Sequence, residues 1–229
     1  MNKETETVTT HSQLPLDFDY RPSMRGDDFL VCSSNAEAVA WLDKWPDWSG
    51  APFVVIYGQP GCGKTHLAEV FRQATGAQAL KLCQDPYETM GEASVGVLED
   101  VDRLIADHQK DLFHLYNHAK EKGLTLLLSA RTAPAQWQIT LPDLKTRMGA
   151  VPVVEIGQPD DMLMEAVLVK LFSDRQLKVE RDVIAFMLLR MERSFEQAIR
   201  LVQEIDRRAL SEKRKITVPL ARSVLQNLS

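Results

Sequence analysis

The chain has 229 residues, 45% of them hydrophobic and 26% charged, with 27 Lys and Arg against 32 Asp and Glu. That length allows a core domain with a smaller companion, and the composition is that of a globular chain burying a full core. A net charge of -5 argues against a broad nucleic-acid surface, which needs a basic face, but leaves room for a local patch. Cys32, Cys62 and Cys83 are too few and too scattered for a disulfide framework or a metal site, and read as reduced thiols. No run approaches the roughly 20 apolar residues of a membrane span, and the polar start lacks a signal-peptide core. The expected location is the cytoplasm.

Residues 1–12 are polar and aperiodic and are expected to be disordered. They lead into an apolar island, Gln13-Leu14-Pro15-Leu16-Asp17-Phe18, where Pro15 and the later Pro22 oppose a helix. From Asn35, a candidate N-cap, Ala38, Leu42 and Trp45 recur on one helical face, with Trp41 and Trp48 as packing residues. Phe53–Tyr57 is a continuous β-branched and aromatic run, the pattern of a strand covered on both faces. A glycine loop and a helix over 66–74 follow. Residues 79–83, 95–98, 124–128 and 151–154 predict four more buried strands, and 111–122 the clearest helix between them.

Strands alternating with helices predict an α/β fold with a parallel sheet covered on both faces. Pro152 places the last strand at an edge or leaves its first residue unpaired. After Pro159 strand-like runs cease, and helical spacing governs 160–174, 182–191, 195–214 and 218–228. The expected organisation is a flexible tail over 1–21, an α/β nucleotide-binding domain over 22–157 and a helical lid over 158–229.

The segment Gly58-Gln59-Pro60-Gly61-Cys62-Gly63-Lys64-Thr65 fits the phosphate-loop pattern. Its glycines let the backbone curl with N–H groups inward as an anion nest. The helix that follows adds the positive end of its dipole, worth about 0.3–1 kcal/mol per nearby charge. Lys64 supplies a charge for the β and γ phosphates, the Thr65 hydroxyl a ligand for Mg²⁺, and His66 extends the binding set. Cys62 reads as filler at an unconstrained position. A buried strand before the loop and a helix after it weigh against a mere glycine-rich turn.

A neighbouring strand should end in a carboxylate that holds Mg²⁺ through water. Glu99 and Asp100 stand there, with their lengths exchanged relative to the usual Asp-Glu pair. Each carboxylate is thereby displaced by about one bond length, ~1.5 Å. Near chemistry, a misplacement of that order can cost on the order of 100-fold in rate. Nucleotide binding is expected to survive this, and fast hydrolysis by the chain itself is not. Ser129, just beyond the 124–128 strand, is placed to sense a terminal phosphate, although strands commonly end in Ser. Taken alone, Arg147 and Arg193 read as surface arginines.

Taken in order, several segments resemble the AAA+ ATPases of the bacterial replication-initiator (DnaA) clade over about residues 22–229. They are the phosphate loop, Leu98-Glu99-Asp100-Val101-Asp102, the run from Leu126 through Ser129 and Arg131 to Pro134, Leu144-Lys145-Thr146-Arg147-Met148 and Glu192-Arg193-Ser194-Phe195. The loop is shared by many nucleotide-binding families; the last three together are more telling. The resemblance implies a sensor-1 position at Ser129, a sensor-2 arginine at Arg193, and an arginine finger at Arg147 presented to a neighbouring subunit. It also implies adenine contact from residues 29–35, and ADP or ATP with Mg²⁺ as cofactors.

Initiators carry a DNA-binding domain after the lid, for which no room is expected here. The chain is most similar to the truncated Hda-like members, which turn the initiator off. These carry a sliding-clamp-binding peptide that Gln13, Leu14, Leu16 and Phe18 resemble. Leu16 and Phe18 would be apolar anchors and Gln13 an orienting amide, a set that suits micromolar binding. Read without the family, the island packs back on its own domain as readily. The resemblance implies a regulator that docks on the DNA-loaded clamp and promotes hydrolysis of ATP bound to DnaA. It would touch DNA only through these partners, with self-association also expected. Two other readings stand beside it. A self-assembling motor of the helicase-loader or clamp-loader type is disfavoured by the Glu99-Asp100 pair, and a small-molecule kinase by a helical C-terminal unit without an acceptor site.

Overall fold

The computed structural model describes residues 31–82, 90 and 93–228; the island at 13–18 and Cys83 lie outside them. Five parallel strands form one sheet in the order β2-β3-β4-β1-β5. They are β1 (Phe53–Tyr57), β2 (Gln78–Leu80), β3 (Val95–Leu98), β4 (Thr125–Ala130) and β5 (Val153–Glu155). Alternate residues serve opposite faces: Phe53, Val55, Leu126 and Leu128 enter one core, while Val54, Ile56, Val97 and Leu127 enter the other. Both faces are apolar because both are covered, so these strands read as unbroken apolar runs.

Helices α1 (Ala36–Leu42) and α2 (Lys64–Thr75) cover the second face. Helices α3 (Val101–Leu104), α4 (Gln109–Lys122) and α5 (Pro142–Met148) cover the first. Helices α3 and α5 escape a periodicity reading because neither spans two full helical repeats. Helix α1 stops at Leu42, short of Trp45, and Pro46 follows. Trp45 still packs edge-on against Phe71, with ring centroids 6.2 Å apart, and its Nε1–H donates to Thr125 Oγ1. Trp48 stacks on the same ring at 5.6 Å.

Asn35 stands at the N-cap of α1 but does not cap it; its Oδ1 accepts from the Cys32 N–H instead, at 2.9 Å. Strand β2 ends at Leu80, whereas β4 runs on through Ser129 and Ala130, which still pair with Ile56 and Tyr57. Strand β5 lies at the sheet edge and begins after Pro152, whose carbonyl accepts from the Val55 N–H.

The remaining chain folds as α6 (Asp161–Asp174), α7 (Arg181–Leu188), α8 (Phe195–Ser211) and α9 (Val218–Leu228), around a core that includes Leu168, Phe172, Leu201, Ile205 and Val224. Asp160 caps α6 by accepting from the Leu163 N–H, and Ser194 caps α8 by accepting from the Gln197 N–H. Arg208 ties α8 to α9, donating to Glu204 and to Ser223 Oγ. The helical spacing outlasts α7 because Met191 stays buried after the backbone has left the helix. Helix α8 ends at Ser211, and the chain turns at Lys213 with φ +49°. No helix among the described residues is long and apolar enough to cross a membrane.

The Trp45–Trp48–Phe71 cluster fastens α2, and with it the phosphate loop, to the sheet. Phe71→Ala is expected to cost about 3–5 kcal/mol, the usual range for emptying a fully buried aromatic site. Urea unfolding followed by tryptophan fluorescence measures it, and a loss below about 1 kcal/mol would show that the cluster is not the anchor.

Candidate nucleotide site

Strand β1 delivers Gly58 to the top of the sheet, where its N–H donates to the Ala130 carbonyl. A Cβ at Gly58 would overlap the Ile156 carbonyl oxygen and come within 2.9 Å of Cys62 Sγ, so a side chain does not fit. Gly61 and Gly63 have φ of +78° and +100°, and the chain enters α2 directly after them. Unlike α6 and α8, α2 has no side-chain cap. Its first N–H groups therefore face the mouth of the loop together with the positive end of the helix dipole, which is an anion seat.

Lys64 is only 8% exposed. Its Nζ donates to the carbonyls of Gly58 at 2.7 Å and Gln59 at 2.9 Å, with Cys62 Sγ at 3.7 Å. Its charge is thus held inside the loop by the loop's own backbone. Cys62 is buried in the core beneath, while Pro60, Thr65 and His66 are exposed.

The helical unit sits on this loop. The Phe195 N–H donates to the Gly61 carbonyl at 3.1 Å. A Cβ on Gly61 would overlap Ser194 Cβ, and one on Gly63 would lie 2.9 Å from the Phe195 ring. Between loop and lid lies a cavity of about 300 Å³, bounded by Cys62, Gly63 and His66 on one side, Leu163 and Val167 on the other, and Asn35. Its size and apolar walls suit the flat faces of a base. The segment holding Asn35 is fixed to the connection between β5 and α6: the Gly157 N–H donates to the Ser34 carbonyl, and Ser33 Oγ donates to Asp160 Oδ2.

Across the sheet top, the tips of β3 and β4 are stitched together. The Asp100 N–H donates to Ser129 Oγ at 3.3 Å, and the Arg131 N–H to Asp102 Oδ2 at 3.1 Å. Ser129 therefore lies within β4 rather than beyond it, and is 1% exposed. Glu99 is exposed, and Asp100 sits 3.7 Å from the Arg103 guanidinium. Asp102, the last residue of that acidic strand end, keeps a buried Oδ1 with no hydrogen-bond partner among the described residues. Among the described residues no three His, Cys, Asp or Glu are grouped to hold a metal on their own.

The two arginines part company. Arg147 lies on α5, with the sheet between it and α2; its guanidinium is 4.7 Å from the Phe113 ring centroid and 5.2 Å from that of Tyr116. It also donates to Asn117 Oδ1. Phe113 and Asn117 fall at i and i+4 on α4, a helical pairing visible in sequence but without meaning until α5 packs against it. Arg193 precedes the Ser194 cap instead of starting a helix, and pairs with Asp161 at 2.9 Å. Both side chains are more than half exposed, so this pair contributes little.

Comparison with known proteins bears on both units. Residues 161–225 match the family described as Hda, lid domain. An uncharacterized protein of Haemophilus influenzae is 27% identical over 189 residues, covering 76% of this chain and 81% of the relative. The crystal structure of domain III of the Thermotoga maritima replication initiation protein DnaA superposes with a TM-score of 0.74 at 18% identity, over 87% of this chain and 94% of that one. AMPPCP-bound DnaA from Aquifex aeolicus superposes at 0.63 and 19% identity, over 81% and 68%. A five-stranded parallel sheet whose phosphate loop is covered by a small helical lid is the AAA+ architecture. The lid narrows this further: residues 161–225 match the Hda lid family, and the chain as a whole has the fold of DnaA domain III.

Gly61→Ala is expected to lift the lid and weaken nucleotide binding, because the new methyl group combines positive-φ strain with overlap of Ser194. Gly76→Ala is the control, sharing a positive φ of +72° but with open space around the new Cβ. Thermal unfolding and titration with a fluorescent ADP should show the larger losses for Gly61→Ala. Equal losses would mean that the lid contact contributes nothing.

Proposed function

We propose that this protein is an Hda-like regulator that binds ADP or ATP between loop and lid and acts through Arg147 on the ATP of the initiator DnaA while docked on the sliding clamp. The observation that carries the reading is the placement of Arg147. It lies across the sheet from the helix that leaves its own phosphate loop, steadied on two aromatic rings and Asn117. An arginine held this way is prepared for a neighbour's nucleotide, and one supplied in trans raises phosphoryl-transfer rates by about 10³–10⁵-fold.

For the chain's own nucleotide, the α2 N-terminus and the turn from Gly58 to Thr65 would hold the phosphates. Lys64 would exchange its two carbonyl partners for phosphate oxygens. The base would lie in the apolar cavity beside Asn35 and His66. A similarly folded initiator, from Aquifex aeolicus, was solved with AMPPCP. Mg²⁺ would neutralise phosphate charge there, held by Thr65 and, through water, by Glu99, with Asp100 at the catalytic carboxylate position. Ser129, fixed by the Asp100 backbone, supports a sensing role, and Arg193 would have to leave Asp161 to reach phosphate. The displaced carboxylates of Glu99 and Asp100 make the chain's own hydrolysis slow.

The clamp would be held by Gln13, Leu14, Leu16 and Phe18. DNA contact comes through the partners, self-association brings Arg147 to other copies, and the setting is the cytoplasm. The decisive assay is initiator ATPase with clamp and DNA. Arg147→Ala should remove at least about 100-fold of the stimulation while leaving ADP binding intact, and full stimulation by this variant would refute the mechanism. In the same assay, deletion of residues 13–18 should abolish clamp pull-down without changing the melting temperature; retained binding would place the clamp contact elsewhere.

A further inference from the structure

The lid carries a second concentration of chemistry, on α7 and α9, that nucleotide binding does not use. Phe186, Leu189 and Arg190 follow at i, i+3 and i+4 on α7 and its closing turn, and so share one face. The Phe186 ring is buried, with the Arg190 guanidinium 4.3 Å from its centroid and that of Arg222, from α9, at 5.4 Å. Two like charges therefore rest on one aromatic ring. Cation–π contact fixes the plane of a guanidinium without neutralising it, which leaves its N–H donors set for a carboxylate.

No described residue neutralises these two charges. Arg193, Arg200, Arg207, Arg208 and Arg214 of the same lid each hold a carboxylate. Among the described residues Arg190 and Arg222 have no ion pair, although Asp182 lies one turn before Phe186 and Glu192 two residues beyond Arg190. Residues 161–229 hold 13 Lys and Arg against 10 Asp and Glu, in a chain of net charge -5. Beside Arg190, Leu189 is 80% exposed, a large apolar side chain displayed to solvent within this basic patch.

We propose that this face of the lid docks an acidic protein segment, its carboxylates on Arg190 and Arg222 and an apolar side chain against Leu189. The combination selects a peptide over a nucleic-acid backbone. Phosphates gain nothing from an exposed leucine, and nucleic-acid interfaces are far more densely basic than two arginines. An acidic segment with one apolar residue uses every exposed group of the patch. Because the charges are exposed, the interaction weakens with added salt.

The test titrates the full chain with fluorescein-labelled octapeptides from a library of Asp and Glu bearing a single Leu, Phe or Trp. The tightest peptide should lose at least about tenfold in affinity, ~1.4 kcal/mol, against the double variant Arg190→Glu/Arg222→Glu. Leu189→Ser should cost roughly threefold, and the amide version of the peptide should bind the wild type no better than the acidic one binds the double variant. All three substituted side chains are exposed, and thermal unfolding together with unchanged ADP binding verifies that the variants are folded. The proposal is overturned if no acidic peptide distinguishes wild type from the double variant. It is equally overturned if a short DNA duplex, and no peptide, shows the charge-dependent loss.

Discussion

The contact on which the rest of the molecule depends is the seating of the lid on the phosphate loop. One backbone hydrogen bond, from Phe195 to the Gly61 carbonyl, joins the two units at a point where the loop has no Cβ to keep them apart. The cavity beside it exists only because α6 and α8 roof over what would otherwise be an open turn. A lid held at this place reports directly on the loop beneath it, since any shift of Gly61 or Gly63 moves the start of α8.

Around this contact the sheet divides the chemistry. The loop and α2 belong to one face, whereas α4 and α5, with Arg147, belong to the other. The division arises from strand alternation: adjacent residues of β1 and β4 pack into different cores. An α/β sheet can thus carry a glycine loop on one face and an unrelated helix-borne side chain on the other without either crowding the other. The hydrogen bonds from Asp100 to Ser129 and from Arg131 to Asp102 join the two central tips where those surfaces meet.

Features whose physics is local could be read from sequence, and features made by packing could not. Strands β1 and β3 were legible to the residue because burial on both faces leaves an uninterrupted apolar run. The glycines of the loop were legible because their backbone angles and close approaches admit no substitute. The end of β4 was not, since Ser129 looks like a strand terminus until its pairing with Ile56 is seen. Asn35 has the composition of a cap, yet its side chain turns back to Cys32. Asp102, Phe113 and Asn117 gain their meaning only from Arg131 and Arg147, about 30 residues away in sequence.

Ser194 shows what such economy implies. Its Oγ closes the first turn of α8, and its Cβ occupies the space that a side chain on Gly61 would need. The position therefore has a narrow size window, bounded by two different forces. A smaller residue would leave an N–H of α8 uncovered, and a bulkier one would wedge the lid off the loop. Variation at residue 194 then cannot separate the integrity of the lid from its placement. Drift there is constrained twice over, although the side chain itself need never touch a ligand.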